Sequence, residues 1–239
     1  MNDQATTLRT MATSPSLNPN SMIQRGGRLT RPTHTATAPS PSHRARTIAV
    51  TSGKGGVGKS NFAVNIALEL AARGRRVSLL DADMALANAD VLLGLNPQFH
   101  LGHVLSGQHS LEEVVLTVGH GMRLIPGGSG IEELANLSFE QHKRLIAELC
   151  AMEEESDFMI IDTAAGIAGN VLSVLRAATE VVIVTTPDPT AVVDAYATIK
   201  VLHQHSPHKP ISVVVNNVVG VGDAEQVFQS ALHRCTTVP

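Results

Sequence analysis

The chain reads as an α/β fold, a mostly parallel sheet with helices on both faces, on three observations. From residue 46 onward, β-prone apolar runs alternate with helical segments. Two of the runs, Phe158-Met159-Ile160-Ile161 and Val181-Val182-Ile183-Val184, are apolar without alternation. A third run leads straight into the glycine-rich stretch GKGGVGKS, residues 53 to 60. Alternation of the two element types implies parallel strands joined by crossover helices. Unbroken apolar strands belong inside a sheet covered on both sides. The strand, glycine loop and helix in succession mark a phosphate loop and place the fold among the nucleoside triphosphatases built on that loop.

The elements follow in order. Thr47-Ile48-Ala49-Val50-Thr51 predicts a strand near 47–52, and Phe62, Ile66 and Leu70 at helical spacing predict a helix from Asn61 to Arg73. Further strands are expected near 76–81, 122–126, 157–162, 180–186 and 211–216, with a helix near 223–234. The chain has 239 residues, 43% of them hydrophobic, enough for one well-buried domain, assigned to 46–239. Ahead of it, residues 13–45 are rich in Ser, Thr, Pro and Arg and poor in large apolar side chains, so they read as a disordered linker. Residues 1–12 differ: Ala5, Leu8 and Ala12 fall on one helical face with Asn2 or Asp3 as cap.

Composition removes several classes. No apolar run approaches the roughly 20 residues of a membrane-spanning helix, and no secretory leader pattern is present. The expected location is therefore cytoplasmic or peripheral. A net charge of −3 gives no global attraction for nucleic acid. The arginines in and beside the linker, Arg25, Arg28, Arg31, Arg44 and Arg46, lie in an acid-free stretch between Asp3 and Glu69 and read as solubilising charge. Cys150 and Cys235 form neither a disulfide framework nor a Cys-x-x-Cys metal or cluster site. His203, His205 and His208 read as cations at a helix C-terminus, and no partner is evident for His100, His103 and His109.

The chemistry concentrates at the glycine loop. Gly53, Gly55, Gly56 and Gly58, with Val57 among them, let successive backbone N–H groups aim at anionic oxygens. Lys59 supplies a point charge for the terminal phosphates, and the Ser60 hydroxyl is a candidate Mg²⁺ ligand. Asp162, at the end of an apolar strand, is the second candidate metal carboxylate. Asp81 and Asp83 close another strand, one able to support the metal shell, the other, Asp83, to orient the attacking water. Ligands bind such sheets at the carboxyl ends of the strands, where all these residues fall. The Asn-Lys-x-Asp run that many phosphate-loop proteins use for guanine is absent; the corresponding strand end reads Asn216-Asn217-Val218-Val219. ATP is thus favoured over GTP, with the Asn216 amide a candidate base contact.

Lys54 and Lys59 in KGGVGKS, then LLDADMALANADVLLGL, PGGSGIEELANL, IIDTAAG and TTPDPTAVVDAYATIK, resemble the MinD/ParA family of deviant phosphate-loop ATPases, and within it the flagellar-number regulators. The resemblance covers nearly all of 46–235, and NDQATTLR resembles the N-terminal activator motif of the same group. It implies an ATP-dependent homodimer in which Lys54 of one subunit reaches the phosphates of the other, while Asp83 and Asp162 serve hydrolysis and metal. It further implies that Gln4 enters the active site of a signal-recognition-particle-type GTPase and assists its attacking water. Family members continue beyond the last predicted helix into an amphipathic helix that binds the inner membrane face. This chain ends at Pro239, so it reads as truncated and without that anchor. Division-site placement and DNA partition are the alternative roles.

Overall fold

Among the described residues, seven strands form one sheet in the order β3-β4-β2-β5-β1-β6-β7. They are β1 (Arg46–Thr51), β2 (Val77–Ala82), β3 (Leu116–Thr117), β4 (Arg123–Ile125), β5 (Phe158–Thr163), β6 (Glu180–Thr185) and β7 (Ile211–Val215). The computed structural model describes residues 45–83, 88–128, 149, 152–220, 222, 224, 225, 227 and 229. The helix expected at 1–12 with Gln4, the linker up to residue 44, Cys150 and Cys235 lie outside the described residues. Ala45, assigned by sequence to the linker, is buried.

Every pair is parallel except β3 with β4. The six strands expected from sequence lie within one residue of their predicted ends. β3 was not expected, since two residues carry no readable alternation. The central strands alternate between two cores. Ile48 and Val50 of β1 and Ile160 of β5 pack beneath α1 (Lys59–Ala72). Ala49 of β1 faces the opposite core with α5 (Gly169–Ala177) and α6 (Pro189–His205). Met159 and Ile161 of β5 face a third cluster built on α3 (Leu101–Leu105) and α4 (Leu111–Val114).

Helix α1 seats on the sheet through Ala63, Val64, Ala67 and Ala71, not through the Phe62, Ile66 and Leu70 face that its spacing suggested. The small side chains allow close approach of helix and sheet, and the larger ones pack half-buried along the flanks. The helix stops at Gly74, which adopts a left-handed φ of 78°. The consequence for the site is positional. β1, β5 and β2 lie side by side, with Val50 in register with Asp162 and Asp162 in register with Asp81. Among the described residues no helix is long and apolar enough to cross a membrane.

Candidate functional site

β1 runs into a loop that turns sharply at Gly56 (φ 80°) and Gly58 (φ 91°) before α1 begins at Lys59. Gly58 occupies the position before the first helical residue in a left-handed conformation, and a Cβ there would also strike the Asn216 side chain. Gly53 is constrained differently: a Cβ would collide with the α6 backbone at Asp194. Gly55 and Gly56 meet nothing and face the opening. The first turn of α1 carries no acidic residue, which leaves its N-terminal N–H groups and positive dipole end to an anion.

A cavity of about 400 Å³ opens over this turn, lined by Ser52, Gly58, Lys59, Ser60, Asp83 and Asn88 among others. Lys59 is buried at its floor. Its ammonium lies 2.7 Å from Asp162 Oδ1, 3.2 Å from Ser60 Oγ and 3.9 Å from Asp83 Oδ2. Three of the four side chains assigned from sequence to metal and water therefore converge on the lysine of the loop. Asp162 is fully buried, and its Oδ2 has no hydrogen-bond partner among the described residues. A buried carboxylate oxygen without a donor, beside a serine hydroxyl, is the donor set of a hard cation, and Mg²⁺ fits it. The loop after β5 is fastened to the phosphate loop by Gly166 N–H donating to Ser52 O at 2.8 Å.

Asp81, expected at the metal, is engaged with backbone. Its Oδ1 accepts from the Asp83 N–H at 3.1 Å, and its Oδ2 accepts from the Asn88 and Ala89 N–H groups, each at 3.0 Å. Both oxygens are committed to backbone, including the first residue of α2 (Ala89–Leu92). Burial pushes its carboxyl up to about 6, the nearby Asp162 adds to the rise, and the three N–H donors oppose it.

Lys54 lies on the outer side of the loop. Its ammonium donates to Asp188 Oδ2 at 2.9 Å and to Thr190 Oγ1 at 2.7 Å, both at the start of α6 of the same chain. Asp188 also caps that helix by accepting from the Thr190 N–H at 2.8 Å, with Pro189 at the first helical position. The Lys54 and Thr190 contacts hold the Asp188 carboxyl well down, to about 2.

Asn216, expected at the base, is a clasp in this structure: its Nδ2 donates to Val57 O at 2.9 Å, tying the end of β7 to the glycine loop. Around it lies a second cavity of about 190 Å³, lined by Asn61, Phe62, Asn65, Val184, Val214 and Asn216. It adjoins the first through Gly58 and Asn61, which line both. A cavity lined by the glycine loop and Lys59, beside one lined by Asn61, Asn65 and Asn216, suits a nucleotide, phosphates on one side and base on the other.

Sequence reasoning missed Asp188 and Thr190 as partners of Lys54, although the strand-end run TTPDPT carried a helix-cap signal, and it missed Asn61 and Asn65. It also found no partners for His100, His103 and His109. They gather with Phe99, the His100 and His103 rings 4.1 Å apart and the Phe99 and His109 rings 3.9 Å apart. His100 and His103 cap α3 reciprocally through their Nδ1 atoms, and among the described residues no group of His, Cys, Asp and Glu is arranged to hold a metal.

Known proteins resemble this chain in sequence and fold. The ParA family model, described as "NUBPL iron-transfer P-loop NTPase", matches residues 43–232. The antiactivator FleN of Pseudomonas aeruginosa is 47% identical over 186 residues, 78% of this chain and 66% of that protein. The flagellum site-determining protein YlxH of Helicobacter pylori is 38% identical over 196 residues, 80% of this chain and 66% of that protein. The chain thus spans 66% of the length of each of these two relatives. The MinC:MinD cell division complex of Aquifex aeolicus contains a chain that superposes with a TM-score of 0.64 at 27% identity, covering 77% of this chain and 78% of that one.

Proposed function

This chain belongs to the MinD/ParA family of deviant Walker A P-loop NTPases, and on that premise we propose that it binds and slowly hydrolyses ATP as a dimerisation switch controlling flagellar number or placement. The observation that carries the reading is the convergence of Asp162, Ser60 and Asp83 on Lys59 at the mouth of the glycine loop. Ser60 and Asp162 would hold Mg²⁺, which offsets phosphate charge when bound. Lys59 and the loop N–H groups of Gly55 to Ser60 bind and orient the phosphates. Asp83 positions the attacking water. Lys54 leaves Asp188 to reach the nucleotide of a second copy, adding a cation where charge develops in phosphoryl transfer.

The flagellar assignment leans on the 47% identity to FleN and 38% to YlxH, against 34% for the septum site-determining protein MinD of Bacillus subtilis. Division-site placement or DNA partition is the second reading. Iron transfer, the description of the matching family model, would need a cysteine pair, and the sequence has no Cys-x-x-Cys. We carry forward, as part of the same reading, stimulation of a signal-recognition-particle-type GTPase by residues 1–12 through Gln4, and action in the cytoplasm or at the cytoplasmic face of the plasma membrane.

The test is equilibrium binding of Mg-ATP and steady-state hydrolysis by the full chain. Wild type is expected to bind and turn over, Asp83→Ala to bind without turnover, and Lys59→Ala to do neither. Equal binding by wild type and Lys59→Ala would overturn the assignment. The flagellar role is tested by counting flagella in cells lacking the gene and in cells complemented with Asp83→Ala. Normal flagella with misplaced septa would favour the division reading.

A further inference from the structure

Asp81 is buried and spends both carboxylate oxygens on backbone N–H groups of residues 83, 88 and 89. These donors lie on either side of one short stretch of chain. One carboxylate therefore fixes the backbone of Asp83 at one end and the start of α2 at the other. A second element braces the same residue: a Cβ on Gly127, in the turn after β4, would abut the Asp81 carbonyl and its carboxyl carbon. That turn is itself held by the Leu101 N–H donating to Pro126 O at 2.8 Å.

We infer that Asp81 is the positioning residue of the site, holding Asp83 where it can orient water, and that it is not a metal ligand. The inference rests on the proposed ATPase reading and on the role given there to Asp83. Asp83 lies 3.9 Å from the Lys59 ammonium, so a shift of its backbone moves a carboxylate relative to the phosphates, and displacement of about 1 Å at a reacting centre costs about 10²-fold in rate. Asp81 touches neither nucleotide nor water in this account. Its effect is transmitted through the Asp83 N–H.

The experiment compares Asp81→Asn, Asp83→Ala and the double variant in the full chain. It measures kcat, Mg-ATP affinity, the Mg²⁺ concentration for half-maximal binding, and amide hydrogen exchange. Asp81→Asn is expected to lower kcat by about 10²-fold with nucleotide and Mg²⁺ affinity unchanged. The double variant should be no slower than Asp83→Ala, because both remove one function. Exchange should speed up at Asp83, Asn88 and Ala89 while α1 and β5 stay protected.

A rise of about tenfold or more in the Mg²⁺ requirement would tie Asp81 to the metal, directly or through a ligand, and overturn the inference. A multiplicative loss in the double variant, or exchange rising equally in α1 and β5, would make it a general structural residue and do the same. If Asp83→Ala turns over like wild type, the proposed hydrolysis reading falls with it, a result distinct from failure of Asp81→Asn alone. Should Asp81→Asn not fold, Gly127→Ala strains the same residue from the other side. It is expected to raise exchange at residues 83, 88 and 89 and lower kcat at constant affinity; unchanged exchange there would overturn the inference.

Discussion

The Lys54 ammonium lies 2.9 Å from Asp188 Oδ2 of its own chain, which turns the outer lysine of the phosphate loop back onto α6. In the proposed dimer that lysine must leave Asp188 to cross to a second copy. Asp188→Asn is expected to weaken the hold while preserving the helix cap, since asparagine caps as well as aspartate. The ATP concentration needed for dimer formation should fall severalfold with the melting temperature unchanged; light scattering across an ATP titration measures it. The pair is insensitive to physiological pH. The Asp188 carboxyl is depressed from 3.8 to about 2, so its contribution is present above 3.8 and lost only as pH falls through about 2.

Lys59→Ala removes one partner of a buried ion pair and leaves Asp162 buried without its cation. Such a loss costs about 3 kcal/mol. Denaturant unfolding of the nucleotide-free chain should show that drop, and Lys59→Ala with Asp162→Ala should recover much of it. Equal stability of single and double variants would mean that Asp162 is not held by Lys59.

Asp81 gives a pH signature of opposite sense. Its folded carboxyl sits at about 6, above the ordinary 3.8, so the native state binds the extra proton between those values. The resulting stability is fully present below 3.8 and is lost as pH rises through about 6. The loss amounts to about 3 kcal/mol at 1.36 kcal/mol per pH unit of separation. The unfolding free energy of wild type minus that of Asp81→Asn should fall by about that amount between acid and neutral pH, other groups cancelling in the difference.

Asn216→Ala distinguishes a clasp from a base contact. Without the side chain, Val57 O loses its donor and the glycine loop loses its tie to β7. Affinity for ATP and GTP should weaken together, by about tenfold, the equivalent of roughly 1.4 kcal/mol for a lost hydrogen bond. A changed ratio of ATP to GTP affinity would show instead that Asn216 reads the base.

The parallel sheet and phosphate loop were legible in the sequence because each has a short-range signature: unbroken apolar runs such as Val181 to Val184, and glycines directly before Lys59. Residues separated widely along the chain were harder. That Asp162 Oδ1 meets Lys59 follows from β5 lying beside β1, a fact of strand order that a single sequence does not print. Asp81 and Asp83 look alike two residues apart. Asp81 lies in β2 with both oxygens on backbone N–H groups, whereas Asp83 follows the end of the strand at Ala82 and lines the cavity, so identical side chains take different tasks. Asn216 was assigned by the absence of a motif, and absence does not say where its amide points. The histidines around Phe99 come from two separated stretches, 100–103 and 109, so their contact had no local signal.

The most direct test of the central claim is the solution mass of the full chain by sedimentation equilibrium with Mg-ATP, with Mg-ADP and without nucleotide, for wild type and Lys54→Ala. The account predicts a mass of two chains for wild type in Mg-ATP alone, and of one chain for Lys54→Ala throughout. Wild type that binds Mg-ATP yet keeps the mass of a single chain would contradict it.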